Sequence, residues 1–204
     1  MRHSIFFSLF LSMLFLVACG GPEGTKVETS EAEAVSEEPV KAAAVGYTVD
    51  VAASTINWEG SKLIGNDNHT GTINLQEGQL VVTNGNLAAG KFSIDMASLT
   101  STDLEGEYKT KLEGHLKSAD FFDVENYAEA TFEITSVQVA EGNPDATHTI
   151  TGNLTMKGQT RSIPIPAKVT MTDETITAET PKFVIDRTEW GVLYGAEGSV
   201  ADLA

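Results

Sequence analysis

From Tyr47 onward, apolar and polar residues alternate at period two. Phe92, Ile94 and Met96 alternate with Lys91, Ser93 and Asp95. Ala130, Phe132 and Ile134 alternate with Glu129, Thr131, Glu133 and Thr135. Ile150, Leu154 and Met156 share a face with Gly152, and Ile163, Ile165, Ala167, Val169 and Met171 form another run. Ile56 with Trp58 and Ile73 with Leu75 are shorter examples. Successive side chains of a strand point to opposite faces, so this is the pattern of antiparallel strands with one wet face. The wet positions are rich in Thr, which suits strands. Turn signals separate the runs at Gln76-Glu77-Gly78, Asn84-Gly85-Asn86, Gly142-Asn143-Pro144-Asp145 and Lys157-Gly158-Gln159.

One stretch departs from this period. Leu104, Tyr108, Leu112 and Leu116 recur every four residues, and Thr102-Asp103-Leu104-Glu105 has the form of a capping box. The spacing predicts one amphipathic helix over Thr102 to Lys117, weakened by Gly106 and Gly114 and so dependent on packing against the sheet. About eight strands with one helix predict a closed or nearly closed barrel. A barrel of that size is either filled by its own side chains or holds one small ligand. Gly60, Gly71, Ala128, Ala130, Gly152, Ala167 and Ala178 are small inward residues that would leave room. On the alternative reading the glycines mark bends and the barrel is solid. Pro164 and Pro166, two apart, lack amides on the same side and predict an edge or bulge.

The chain before Tyr47 is different in kind. Arg2 and His3 precede an uncharged apolar run, Ile5 to Val17, too short to span a bilayer comfortably but suited to a secretory signal. Leu16-Val17-Ala18-Cys19 resembles a bacterial lipobox. Residues 1–18 are therefore expected to be cleaved, and Cys19 to carry the lipid through its thiolate chemistry. Several acyl chains would make the anchor effectively permanent. Gly20, in place of an aspartate, leans toward the outer membrane, facing the periplasm. Gly20 to Gly46 is rich in Gly, Ala, Glu and Ser and has no aromatic residue, so 19–46 is expected to be a lipidated cysteine followed by a disordered acidic tether. Its typical reach would be about 30 Å. The folded domain is expected over 47–204.

Charge and motif content narrow the function. The formal net charge is −16, and −17 once Arg2 leaves with the signal. Nucleic acid is excluded as a partner, because its binding rests on Lys and Arg neutralising phosphates. Cys19 is the only cysteine, so the mature fold has no disulfide. The histidines stand at 3, 69, 115 and 148, and no HExxH, CxxC, P-loop or nucleophile-elbow spacing occurs. No metal, cofactor or catalytic residue is expected. The material for an enzyme is His115 with Asp120, Asp123 and Asp186, a hydrolase-type reading left as the weakest alternative.

Several segments together carry a family resemblance. Tyr47-Thr48-Val49-Asp50 with Ser54-Thr55-Ile56-Asn57-Trp58 resembles the opening strand pair of the YceI-like family of bacterial exported proteins, the polyisoprenoid-binding, lipocalin-like group. Gly65 to Gly71 is similar to its glycine and histidine segment. His115 to Asp123 (HLKSADFFD), followed by Tyr127-Ala128-Glu129-Ala130-Thr131-Phe132, is similar to its most recognisable motif, with Ala128 where the family usually has proline. Ile150 to Gly158 and Phe183 to Gly191 resemble two later motifs.

The resemblance implies an extended antiparallel lipocalin-like β-barrel enclosing an elongated apolar cavity for an isoprenoid or fatty lipid. Trp58, Ile73, Phe92, Ile94, Phe132, Ile134, Leu154, Ile165, Phe183 and Ile185 are then candidates for the cavity wall, although each could equally be core. Lys62, His69, His115 and Arg187 are candidates to meet a headgroup. The alternatives for these are an ion pair of Arg187 with Asp186, Glu189 or another acid, and a helix-end His115 bonded to backbone. After Tyr194 no period-two apolar run follows, so the family's final strand is unaccounted for. An open edge there invites pairing with a partner. An anchored interaction module with a filled barrel, or a homodimer, stays open beside lipid carriage.

Overall fold

The computed structural model describes residues 24–35, 44–61, 68–172 and 174–196. In chain order the described elements are β1 (Thr25–Lys26), β2 (Ser30–Glu31), β3 (Ala44–Thr48), β4 (Ile56–Ser61), β5 (Asn68–Thr83), β6 (Asn86–Ser101), α1 (Gly106–Lys117), β7 (Glu129–Val139), β8 (His148–Met156), β9 (Gln159–Met171), β10 (Ile176–Glu179), β11 (Phe183–Val184) and a 3-10 turn, Arg187–Trp190. Period-two segments became strands because alternation lets each bury one face and wet the other. The main sheet runs β10-β9-β8-β7-β6-β5-β3, with β4 also on β5 and β2 also on β9; all its pairings are antiparallel.

Local chemistry sets the turns. Asn84 (φ 53°) and Gly85 (φ 76°) close the β5–β6 hairpin, and Lys157 (φ 46°) with Gly158 (φ 72°) closes β8–β9. Two consecutive positive φ values match the twist of the flanking strands. The expected turn at Gln76-Glu77-Gly78 is not one. β5 runs through it, with a register shift between Leu75 and Glu77. A β-carbon on Gly78 would lie 2.8 Å from a Val49 methyl, so that glycine serves a close approach. A larger bulge interrupts β6, which sets Met96, Ala97, Ser98 and Leu99 opposite Ile73 alone. Asp95 and Ser98 satisfy the freed amides of Ala97 and Asn74. Both Met96 and Leu99 are thereby buried with Ile73, a parity break that strict alternation forbids.

The helix begins at Gly106 rather than Thr102, and its N-cap, Glu105, makes no side-chain capping bond. The residues expected to cap are used by the sheet instead. Thr102 N–H donates to the Thr70 carbonyl (2.9 Å), and Asp103 accepts from Thr70 N–H (3.0 Å) and the Ser101 hydroxyl (2.8 Å). Tyr108 stands 75 % exposed, so the four-residue apolar stripe is not packed along its whole length. Leu116 reaches the core, and Glu113 ties the helix to β6 by accepting from the Thr100 hydroxyl (2.6 Å) and Ser101 N–H (2.9 Å).

The sheet curls until its two ends share a core. Tyr47 and Val49, on and just after β3, pack on the same cluster as Val169, Met171 and Ile176 of β9 and β10. Among the described residues no backbone ladder joins β10 to β3 or β4. Between β2, paired at 161–162, and β10, paired at 168–171, the outer edge of β9 has no strand partner among the described residues, and Pro164 and Pro166 occupy that stretch. Their missing amides cost nothing on an unpaired edge, as their spacing predicts.

The expected tether is corrected over 24–35. β1 pairs with β11, β2 pairs with β9, and Val27 is 6 % exposed among Leu154, Ile163, Ile165 and Trp190. Farther on, Glu33 and Asn153 exchange two hydrogen bonds: Glu33 N–H to Asn153 Oδ1 (2.9 Å) and Asn153 Nδ2 to the Glu33 carbonyl (2.8 Å). One apolar side chain suffices because edge amides of existing strands supply the remaining partners.

Candidate functional site

The inner face of the sheet is apolar along its length. One buried cluster contains Leu80, Leu87, Ile134, Ile150, Ala167 and Val169. A second contains Val27, Leu154, Ile163, Ile165 and Trp190, and a third Ile73, Met96, Leu99 and Ala130. Phe132 bridges the first two clusters and Met156 the last two. All the wall candidates named from the sequence belong to these clusters. Ile73, Ile134, Leu154 and Ile165 are buried, whereas Trp58, Phe92, Ile94, Phe132, Phe183 and Ile185 are only partly covered.

The small inward residues do not leave the room expected of them. A β-carbon on Gly71 would lie 2.4 Å from the Trp58 ring, and one on Gly152 would lie 2.4 Å from the Phe132 ring. The space is taken by an aromatic neighbour across the strand pair. Ala130 and Ala167 are covered (2 % and 0 % exposed), while Gly60, Ala128 and Ala178 face solvent. Partial exposure on this face falls on the aromatics Trp58, Phe92, Phe132 and Phe183 rather than on Gly71 and Gly152.

Two clefts reach these clusters from outside. One, about 480 Å³, lies between β4, the start of β5 and Thr180–Lys182, with Trp58 and Gly71 in its lining. Lys182 Nζ binds Glu59 Oε2 (2.6 Å) across it. The other, about 400 Å³, lies along the proline edge beside Thr25–Glu28 and includes Val27.

The polar headgroup candidates do not converge. Lys62 lies outside the described residues, as do Cys19 and the whole of the expected signal. His69 Nδ1 meets Asp103 Oδ2 at 2.8 Å at the start of β5. Chiefly through that bond, and also through those from Ser101 and Thr70, the Asp103 carboxyl is lowered to about 2 against an opposing desolvation. His115 lies elsewhere, edge-on to Tyr194 (4.3 Å between centroids) and Phe121 (5.8 Å). Its carbonyl accepts from Ser118 N–H (3.1 Å) and Oγ (2.8 Å) at the helix end.

Arg187 spends its donors on the chain, on the carbonyls of Val192 and Tyr194, and its guanidinium stacks 4.8 Å from the Phe121 ring centre. Burial draws its pKa down, partly offset by Asp186. Neither ion pair suggested for Arg187 forms. Asp186 caps the 3-10 turn through Thr188 N–H (3.0 Å) and hydroxyl (2.7 Å), which hold its carboxyl below the usual range, and Glu189 meets Arg161 (3.6 Å).

His115, Asp123 and Asp186 make no hydrogen bond to one another among the described residues. Asp123 instead accepts from Asn126 Nδ2 (2.9 Å). No group of three or more His, Cys, Asp and Glu among the described residues is arranged to hold a metal ion. Trp190 and Val27 escape a reading by periodicity. Trp190 is fully buried with its indole N–H on the Leu154 carbonyl (2.8 Å), and only its place in the Phe183–Gly191 motif signals it. Val27, lone in a polar stretch, carries no signal.

The motif residues thus build one scaffold. Phe121, from the first motif, lies between His115 and Arg187, and Lys157 Nζ holds the Phe121 carbonyl (2.6 Å). This architecture has close parallels. A UPF0312 protein of Vibrio cholerae is 34 % identical over 139 residues, which cover 66 % of this chain and 68 % of that protein. The crystal structure of Burkholderia cenocepacia BcnA superposes with a TM-score of 0.56 at 24 % identity, over 71 % of this chain and 84 % of that one. The structure of a polyisoprenoid binding domain from Saccharophagus degradans gives 0.50 at 17 % identity, over 72 % and 82 %. The model of the YceI-like domain matches residues 47–203, which span β4 to the 3-10 turn and both motif regions; with that match and the shared antiparallel fold, the chain belongs to the YceI-like domain family.

Proposed function

We propose that this protein is a membrane-anchored binding protein that sequesters or carries a long-chain apolar lipid of isoprenoid type inside its barrel, without chemistry. The observation that carries the reading is the set of partly covered Trp58, Phe92, Ile94, Phe132, Phe183 and Ile185 on the concave face. Apolar surface left incompletely covered inside a sheet gains when it is shielded, and each methylene buried there contributes about 0.8 kcal/mol. A long tail needs only apolar walls and little polar recognition. The polyisoprenoid binding domain of related fold adds support for the ligand class. The anchor on Cys19 would hold the barrel at the outer membrane, facing the periplasm.

Lipid extracted from the purified protein and identified by mass spectrometry tests the reading. Phe132→Asp, on the shared edge of two clusters, should abolish lipid retention in protein that still folds by circular dichroism. Ile94→Trp, which narrows the space without adding charge, should reduce it. Normal retention in both folded variants would refute the inner-face site. The ring-filled spaces at Gly71 and Gly152, and a β9 edge without a strand partner among the described residues, favour a second reading, an anchored interaction module. Repeated absence of bound lipid, with no uptake of added polyprenol, would select it.

A further inference from the structure

The docked N-terminal segment limits how far the barrel can stand from its anchor. Cys19 and Gly24 are separated by five peptide links. An extended chain gains at most about 3.6 Å per residue, so the free leash is no longer than about 18 Å. A leash running to Ala44 would be five times longer in contour. Val27, buried in the second cluster, and β2, laddered to β9, hold the segment in place.

The end of the leash is also specific. A β-carbon on Gly24 would lie 3.0 Å from the Lys182 carbonyl oxygen, which accepts from Thr25 N–H (3.3 Å). Lys182 is itself a wall of the cleft at the seam between β4 and Thr180–Lys182, whose rim is polar and crossed by the Lys182–Glu59 ion pair (2.6 Å), with Trp58 and Gly71 as its apolar lining. The Asn84-Gly85 hairpin lies at the opposite end of β5 from His69 and Thr70, and so far from this seam.

We infer that the docked segment 24–35 is a short leash that holds the seam cleft against the bilayer bearing the Cys19 anchor, and that this cleft is the port through which a membrane lipid tail reaches the inner face. The inference rests on the lipid-binding reading and on the Cys19 anchor. A chain of formal charge −16 is repelled by anionic headgroups. Only a covalent leash that is short would keep one particular face close. Proximity matters because each methylene that crosses water between bilayer and barrel costs about 0.8 kcal/mol.

The test uses the lipidated full chain in phosphatidylethanolamine/phosphatidylglycerol vesicles carrying a nitroxide headgroup quencher. Cys19 is the only cysteine and is blocked by its lipid, so Thr180→Cys or Asn84→Cys supplies a single labelling site. A fluorophore at 180 should be quenched several-fold more than one at 84. Inserting about 20 Gly/Ser residues between Gly21 and Pro22 adds a typical reach of about 25 Å. Quenching at 180 should then fall to the level at 84. Polyprenol extraction from the vesicles should slow several-fold, while binding of polyprenol delivered in detergent stays unchanged. Val27→Asp, which releases the segment, should reproduce the insertion. Equal quenching at the two sites before insertion, an extraction rate indifferent to the insertion, or an unlipidated Cys19 would overturn the inference. Unequal quenching with no polyprenol bound in any form would instead overturn the lipid-binding reading and the port with it, and leave the leash standing.

Discussion

Asp103 shows how one carboxylate can join two strands and the approach to a helix. It accepts from His69, from Thr70 N–H and from the Ser101 hydroxyl. Its carboxyl is held at about 2 in the fold, whereas a free aspartate titrates near about 3.9. A depressed carboxylate stabilises the fold fully above the unfolded value and loses that contribution as pH falls toward the folded one. Stability of the wild-type protein should therefore fall as pH drops from about 4 to about 2. Asp103→Asn should lower stability at neutral pH and flatten that acid limb. Glu113 and Asp186, whose carboxyls are also lowered, should keep part of it. Melting temperature followed across pH 2–7 in both proteins reads this directly.

At the scale of elements, pairs of a glycine and a ring govern how β4, β5, β7 and β8 approach one another. Trp58 lies over Gly71, its cross-strand partner, and its indole N–H donates to the Thr72 carbonyl (3.2 Å). A β-carbon on Gly71 would also stand 1.9 Å from the Thr100 carbonyl oxygen, a backbone atom that cannot rotate away. Gly71→Ala should destabilise by about 1–3 kcal/mol, the usual cost of overpacking. It should also shift Trp58 fluorescence, because Trp190 is sealed in another cluster. The urea midpoint and the emission maximum test the two parts separately. An unchanged midpoint would mean that β5 and β6 separate freely at this point.

At the scale of the whole molecule, the barrel and its attachment are separable. The expected anchor depends on one side chain outside the described residues. Cys19→Ser should leave the precursor unlipidated and unprocessed, read by mass spectrometry and by fractionation of membranes. A variant still cleaved and still membrane-bound would refute lipobox anchoring. The barrel should fold in either case, since its three apolar clusters are built from residues 27–190. Its seam, where among the described residues β10 and β3 share a core but no ladder, leaves backbone groups that another chain could pair with.

The sequence by itself determined the main strands of the sheet, where two hairpins turn, and the family. These are local properties: alternation fixes a face, and Asn84-Gly85 or Lys157-Gly158 fixes a turn, whatever lies elsewhere in the chain. Only the tertiary structure decided the Met96–Leu99 bulge, the rings over Gly71 and Gly152, the carbonyls that take Arg187, and the docking of Val27. Each of these depends on a partner distant in sequence. A glycine reads as empty space until the ring that fills it is known, and a lone valine in an acidic stretch reads as solvated until the edge that buries it has formed.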